Sequence, residues 1–342
     1  MHGQDGLHKE WRRHWEGALA RGIHMVAYEI FQLVVFPGAL FVICLAFLYE
    51  WVDRKLFARV QGRYGPLYTG PAGILQPVAD FLKLISKEDI VPRVCDANLF
   101  FAVPVMYAAL PLTALFIMPI AAPEALISFE GDLIFILFSF GLMTLLIFLA
   151  GWSSMSRFSA IGSVRSALQM LSYEIPLGLV LVCPAIAARS LSVSGIVQWQ
   201  AAIAMWGAAL QPIGLAVVMV CMLAELELVP FDIPEAETEI VAGWRTEFTG
   251  RRLALFRMGR DLEMVLVSAL VVSLYLGGAQ QLWLIPAAAM FVVKTAAVVA
   301  AFSFARALFA RFRIDQMIAG MWKYMLPIAA AQVVLVQMGL GA

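Results

Sequence analysis

Five glutamates, Glu225, Glu227, Glu235, Glu237 and Glu239, lie within fifteen residues in the run AELELVPFDIPEAETE. They follow an uncharged stretch, Ala201–Ala224, long enough to span a bilayer. Acidic groups are costly at membrane depth, so a cluster at the end of a span points to a path for ions or protons. Glu235 and Glu239 are spaced i,i+4, where like charges on a helix repel. Crowded carboxyls share protons and titrate as a coupled set, which suits a proton relay. A plainer reading stands beside it. Pro234 suits the first position of a helix, and the helix dipole favours acids in a first turn, so a solvated helix end is the lesser alternative.

Glu174 is a second such group, inside the apolar run SVRSALQMLSYEIPLGL. Pro176 removes the helical bond to the Ser172 carbonyl, and a charge beside a helix irregularity is a common design for an ion path. The alternative is a structural glutamate paired with Arg165 or Lys294. Lys294 itself sits mid-span in FVVKTAAVVA, where a lysine faces a channel or an ionic partner more often than lipid.

The elements that must position these groups are membrane helices. The chain is 62% hydrophobic and 14% charged, against about a quarter charged in a soluble domain. A soluble fold of this length could not bury so much apolar surface. Eight stretches are near the ~20 residues a span needs. They are Met25–Leu48, Leu99–Ala122, Leu133–Ala150, Ala167–Ala188, Ala201–Ala224, Leu262–Ala279, Leu282–Ala305 and Met321–Leu340. Glu263 shortens the sixth. The fold class expected is all-α: one polytopic transmembrane bundle over 25–342 with long cytoplasmic loops.

Eighteen of the 24 basic residues fall in the loops after spans one, three, five and seven, counting Lys323 at the edge of the eighth span. The positive-inside rule puts those loops in the cytoplasm and both termini outside. The extension 1–24 carries Lys9, Arg12, Arg13 and Arg21 and reads either as an interfacial helix or as a poorly ordered arm. In the first loop, Gly65-Pro66, Gly70-Pro71 and Gln76-Pro77 mark tight turns. Between and after them, Ile74, Leu75, Phe81, Leu82, Leu84 and Ile85 suggest a short amphipathic helix, the alternative being an ordinary loop. Gly65 is expected in a backbone conformation closed to other residues.

Several functions are excluded. The net charge is zero, so no basic excess exists to neutralise nucleic acid. Cys44, Cys95, Cys183 and Cys221 form no CxxC pair, which argues against an iron–sulfur or zinc site. The four histidines all lie in the first 24 residues, so none can hold a haem within the apolar body. No Walker, GxGxxG, GxSxG or HExxH pattern occurs.

Five runs carry a resemblance: DRKLFARVQGRYGP, GILQPVADFLKLISKEDIVP, GWSSMSRFSAIGSVRSALQMLSYEIPLGL, AELELVPFDIPEAETEIVAGWRTEFTG and FRIDQMIAGMWKYMLP. From about Asp53 to Pro327 the chain resembles the H-subunit family of NADH–quinone oxidoreductase, respiratory complex I, called subunit 1 in mitochondria. The resemblance implies a membrane-arm component of a proton-translocating oxidoreductase with no redox centre in this chain. It implies quinone as substrate, no covalently bound cofactor and no metal. Its partners would be peripheral hydrogenase-like and iron–sulfur subunits, antiporter-like membrane subunits and lipid, in a prokaryotic cytoplasmic membrane. By matching position, proton coupling falls to Asp53, Glu174, Glu225, Glu227, Glu235, Glu237 and Glu239, and the quinone chamber to Arg63, Gly65, Pro66 and Asp80.

The chain departs from that pattern at three places. Leu226-Glu227 stands where Asn-Arg is usual, Arg260-Asp261 follows Gly259 where a Glu-Tyr pair is usual, and FRID at Phe312–Asp315 lacks the family's tyrosine. The ELE run at Glu225–Glu227 and the RID run at Arg313–Asp315 look more like the paralogous component of energy-converting nickel–iron hydrogenases or formate hydrogenlyase. SYEIP and the full-length first loop look more like complex I. The electron acceptor is therefore open at this point. A self-contained secondary transporter is a third reading, opposed by the missing inverted repeat. The cation at Arg260 is expected near Glu235, Glu237, Glu239 or Asp261, or else at the lipid headgroups.

Overall fold

The computed structural model describes residues 28–281 and 285–341. The extension 1–24, with its expected interfacial helix, lies outside the described residues. After a short helical piece at 28–34, the chain forms α1 (Ala39–Val60), α2 (Gln76–Ser86), α3 (Ala97–Leu115), α4 (Asp132–Ser153), α5 (Arg157–Ala188), α6 (Val193–Ile203), α7 (Pro212–Glu225), α8 (Gly250–Tyr275), α9 (Ala287–Leu308), α10 (Ile314–Gly320) and α11 (Leu326–Gln337). The turn Met321–Met325 joins the last two with π-helical bonding.

Six segments are long and apolar enough to cross a membrane: Tyr28–Val60, Ala97–Leu115, Asp132–Ser153, Arg157–Ala188, Ala287–Leu308 and Ile314–Gln337. In hydrocarbon every backbone polar group must find an internal partner, which forces these runs into helices. Two of the expected spans take a different form. Ala201–Ala224 is not one helix. Ala204 turns left-handed at φ 57°, and α7 is only 14 residues long, restarting at Pro212. Gln200 spans the break, donating to the carbonyls of Ser273 and Leu274 at 3.0 and 2.9 Å and accepting from Gly207 N at 2.9 Å. The stretch expected at Leu262–Ala279 is α8, which starts at Gly250 and carries Arg260, Asp261 and Glu263. With α7 and α8 added to the six, the bundle matches the roughly eight spans expected.

α8 is the central post. Nearly every residue from Leu262 to Tyr275 is buried, because α3, α1, α9 and α6 surround it. A helix apolar all round belongs in such a position. α5 packs on the other side with α4, α7 and α11. It stays continuous through Pro176 and Pro184. Pro184 frees the Val180 carbonyl, and Tyr275 Oη donates to that oxygen at 2.9 Å. A proline is tolerated here because a neighbour supplies the missing bond. A second apolar cluster, with Phe100 stacked on Phe248 at 4.3 Å, ties α3 to the loop before α8. That loop carries the glutamates.

Candidate functional site

α1 brings Glu50, Asp53 and Arg54 to its loop-side end at i, i+3 and i+4, one face of the helix. Arg54 pairs with Glu50 and reaches Asp80 on α2 at 2.6 Å. Gln76 adds a bond to Asp80 at 2.9 Å. Burial opposes ionisation of Asp80, but the bonds from Arg54 and Gln76 outweigh it and hold the carboxyl below its usual range. Asp53 accepts from Ser303 Oγ and Arg306 Nη1, both at 2.7 Å, so α9 is latched to α1 through a buried carboxylate.

The glutamates after α7 divide by depth. Glu225 ends the helix, and Glu227 follows in a left-handed conformation, φ 48°, which turns its carboxylate inward. Glu227 is 6% exposed and accepts from Ser166 Oγ at 2.6 Å and Arg260 Nη2 at 3.3 Å. Glu235 is 8% exposed, paired with Arg245 and with Arg260 Nη1 at 2.5 Å. Burial pushes the Glu227 carboxyl up, and the Arg260 charge opposes it. Asp232, beside them, is likewise pushed up by burial against its bond from Arg311 at 2.6 Å.

These groups share one cavity of about 310 Å³. Glu50, Asp53, Arg54, Glu227, Glu235, Arg245, Arg260 and Asp261 all line it. Glu50 on α1 and Asp261 on α8 reach it from opposite elements of the bundle.

Beyond the cavity the acids continue into the bundle. Glu263 accepts from Tyr107 Oη at 2.8 Å. Glu225 is 5% exposed, and its Oε2 is buried with no hydrogen-bond partner. Tyr173 lies against it. Next along α5, Glu174 faces α4 at Gly141, where an added methyl group would stand 3.1 Å from its Oε1. Neither expected structural partner reaches Glu174. Arg165 pairs with Glu239 at 2.7 Å. Lys294 donates to the carbonyls of Leu276 and Gly278 at 2.6 and 3.1 Å and lies 5.0 Å from the Trp206 ring. It satisfies the end of α8, where helix carbonyls lack partners, rather than facing an acid.

The residues expected to act together are thus sorted by the fold. Asp53, Glu225, Glu227 and Glu235 lie buried in or beside one cavity, with Glu174 beyond them. Glu237 also lines that cavity, whereas Glu239 does not join them. Both are exposed, and Glu239 is held below the usual carboxylate range by its bond from Arg165. Arg63 is exposed too, bonded to Gln61. Pro66 offers its carbonyl to Lys55 Nζ at 2.8 Å. Gly65 does not have the left-handed backbone expected of it; its constraint is space, a methyl there standing 3.2 Å from Lys55 Cα.

Arg260 reaches Glu235, one of the acids expected, and also Glu227. Glu50, Arg54, Asp232, Arg245, Arg306, Tyr107 and Glu263 are members that sequence reasoning missed. The i, i+3, i+4 spacing of Glu50, Asp53 and Arg54 was a readable signal. Glu263 reads in sequence only as a charge shortening a span.

The NADH dehydrogenase family profile matches residues 30–337. Among curated proteins, the chain is 40% identical to form 2 of the NADH-quinone oxidoreductase H subunit of Rhodopseudomonas palustris, over 85% of this chain and 90% of that one. It is 36% identical to form 2 of the same component from Rhizobium meliloti, over 89% and 96%. It is also 36% identical to the H subunit of Dehalococcoides mccartyi, over 92% and 86%.

Proposed function

The chain belongs to the H-subunit family of NADH-quinone oxidoreductase, integral membrane components of the membrane arm of complex I-type enzymes, and from that premise we propose that it turns quinone reduction into proton movement through its buried carboxylates. The names of its relatives do not favour the hydrogenase reading of Leu226-Glu227 and the RID run at Arg313–Asp315. The observation that carries the proposal is continuity. Acids run from the cavity beside the first loop, through Glu50, Asp53, Asp261, Glu235 and Glu227, to Glu225 and Glu174 inside the bundle.

Reduction of a quinone by two electrons takes up two protons to give the quinol. A substrate bound near the loop of Arg63, Gly65, Pro66 and Asp80 would alter the charge felt by Asp80, Arg54 and Glu50, which are already linked. Arg54 and Arg260 each bind two carboxylates, so a change at one acid shifts the cation toward the other. Ion pairs that redistribute in this way change the proton affinity of their members. Glu225 holds an unpartnered buried oxygen ready to take a proton. The electron carriers belong to the partner proteins, peripheral iron–sulfur and hydrogenase-like chains, while antiporter-like membrane chains receive the coupling. The loops rich in Lys and Arg face the cytoplasm, both termini face outward, and the membrane is the prokaryotic cytoplasmic one.

Glu174→Gln and Glu225→Gln test the proposal in vesicles holding the assembled complex. Gln keeps size and hydrogen bonding but carries no proton, so proton uptake must fall while assembly persists. Normal pumping in both variants overturns it.

A further inference from the structure

The geometry points to Glu263 as the intramembrane proton carrier between the cavity and Glu225, with Tyr107 positioning it; this rests on the relay reading above. Arg260 and Glu263 share a face of α8, three residues or about 4.5 Å apart along the axis. Arg260 is held between Glu235 and Glu227, so a cation stands at the place where a proton leaving the cavity would enter the bundle. One turn deeper, Glu263 is 4% exposed. Among the described residues it forms no ion pair, and its partner is the neutral hydroxyl of Tyr107 at 2.8 Å.

A carboxyl left in the bilayer without a cation is expensive, and such groups are retained for function more than for packing. Glu225 and Glu227 are the acidic neighbours whose charge acts on it. The buried, unpartnered Oε2 of Glu225 is the acceptor such a donor needs. The step is one proton passing from the carboxylic acid of Glu263 to the carboxylate of Glu225, with Glu263 re-protonated from Glu227. Tyr107 is held in place by Trp244 and Phe256, with ring centroids 6.4 and 5.4 Å away, so its hydroxyl fixes the rotamer of Glu263 rather than carrying the proton.

The test uses the assembled complex in vesicles, reading quinone reduction and proton uptake together with the solvent isotope effect on turnover. Glu263→Gln is expected to lose at least tenfold in proton uptake with assembly intact on native gels. Glu263→Asp, shorter by one methylene, is expected to retain part of the activity with a larger isotope effect, because proton transfer becomes limiting. Tyr107→Phe is expected to fall several-fold, also with a larger isotope effect. Wild-type proton uptake in Glu263→Gln beside collapse in Glu225→Gln overturns the role of Glu263 and leaves the relay reading standing. Wild-type uptake in both overturns the relay as well. If Glu263→Gln does not assemble, Tyr107→Phe carries the test alone, and unaltered turnover and isotope effect there overturn the proposal.

Discussion

Arg260→Met removes one cation shared by two buried carboxylates while keeping an unbranched, apolar stem. Glu235 retains Arg245, but Glu227 is left with only the hydroxyl of Ser166. At 3.3 Å and an effective dielectric of ~20, the lost attraction on Glu227 is about 5 kcal/mol. A tenfold change in proton affinity corresponds to about 1.4 kcal/mol, so the loss of Arg260 strongly raises the proton affinity of Glu227. Breaking a buried pair from one side costs about 3–5 kcal/mol, and proton uptake holds the loss toward the lower figure.

Two signs follow for Arg260→Met. The relay needs Glu227 to give up its proton and return to the ionised form in each cycle, so the acid limb of the pH–turnover profile moves to higher pH. A carboxyl whose folded-state proton affinity exceeds that in the unfolded chain loses stability as pH rises, so the variant's thermal deficit is larger at pH 8 than at pH 5.5. The double variant Arg260→Met/Glu227→Gln removes the stranded acid and recovers stability, with a coupling of at least ~2 kcal/mol in the cycle, though not coupled turnover. Heat challenge of the assembled complex and pH–rate curves are the assays. An unmoved pH profile, or a double variant no more stable than the single, would refute the argument that Arg260 keeps Glu227 ionised.

The exposed pair Arg165–Glu239 should matter little, since surface ion pairs contribute about 0–1 kcal/mol. Glu239→Gln is therefore expected to leave proton uptake within twofold of wild type, and a collapse would return Glu239 to the relay. Gly65→Val sets branched carbons against Lys55 Cα and must displace the loop. The apparent affinity for quinone analogues should weaken several-fold with upstream electron entry unchanged, and unchanged quinone kinetics would count against the loop as part of the chamber.

The sequence by itself determined that this is a membrane bundle of helices. Long apolar runs leave the backbone no other way to satisfy its polar groups in lipid. It also showed where the charges gather, with Glu174 inside one apolar run and the glutamates from Glu225 to Glu239 at the end of another. Only the tertiary structure decided which of those charges lie together. Glu235 and Glu239 are near neighbours in sequence, yet one is buried against Arg245 and Arg260 and the other is solvated on Arg165. The difference comes from the chain path around Pro234 and the left-handed turn at Glu227, which no periodicity records. The breaks at Ala204 and Gln211 were hidden for a similar reason. Hydropathy sees a continuous apolar run, whereas the helix ends are set by Gln200 bonding to α8 carbonyls from a distant part of the chain. Tyr107 and Glu263 stand 156 positions apart, so their 2.8 Å bond exists only once α3 has packed against α8.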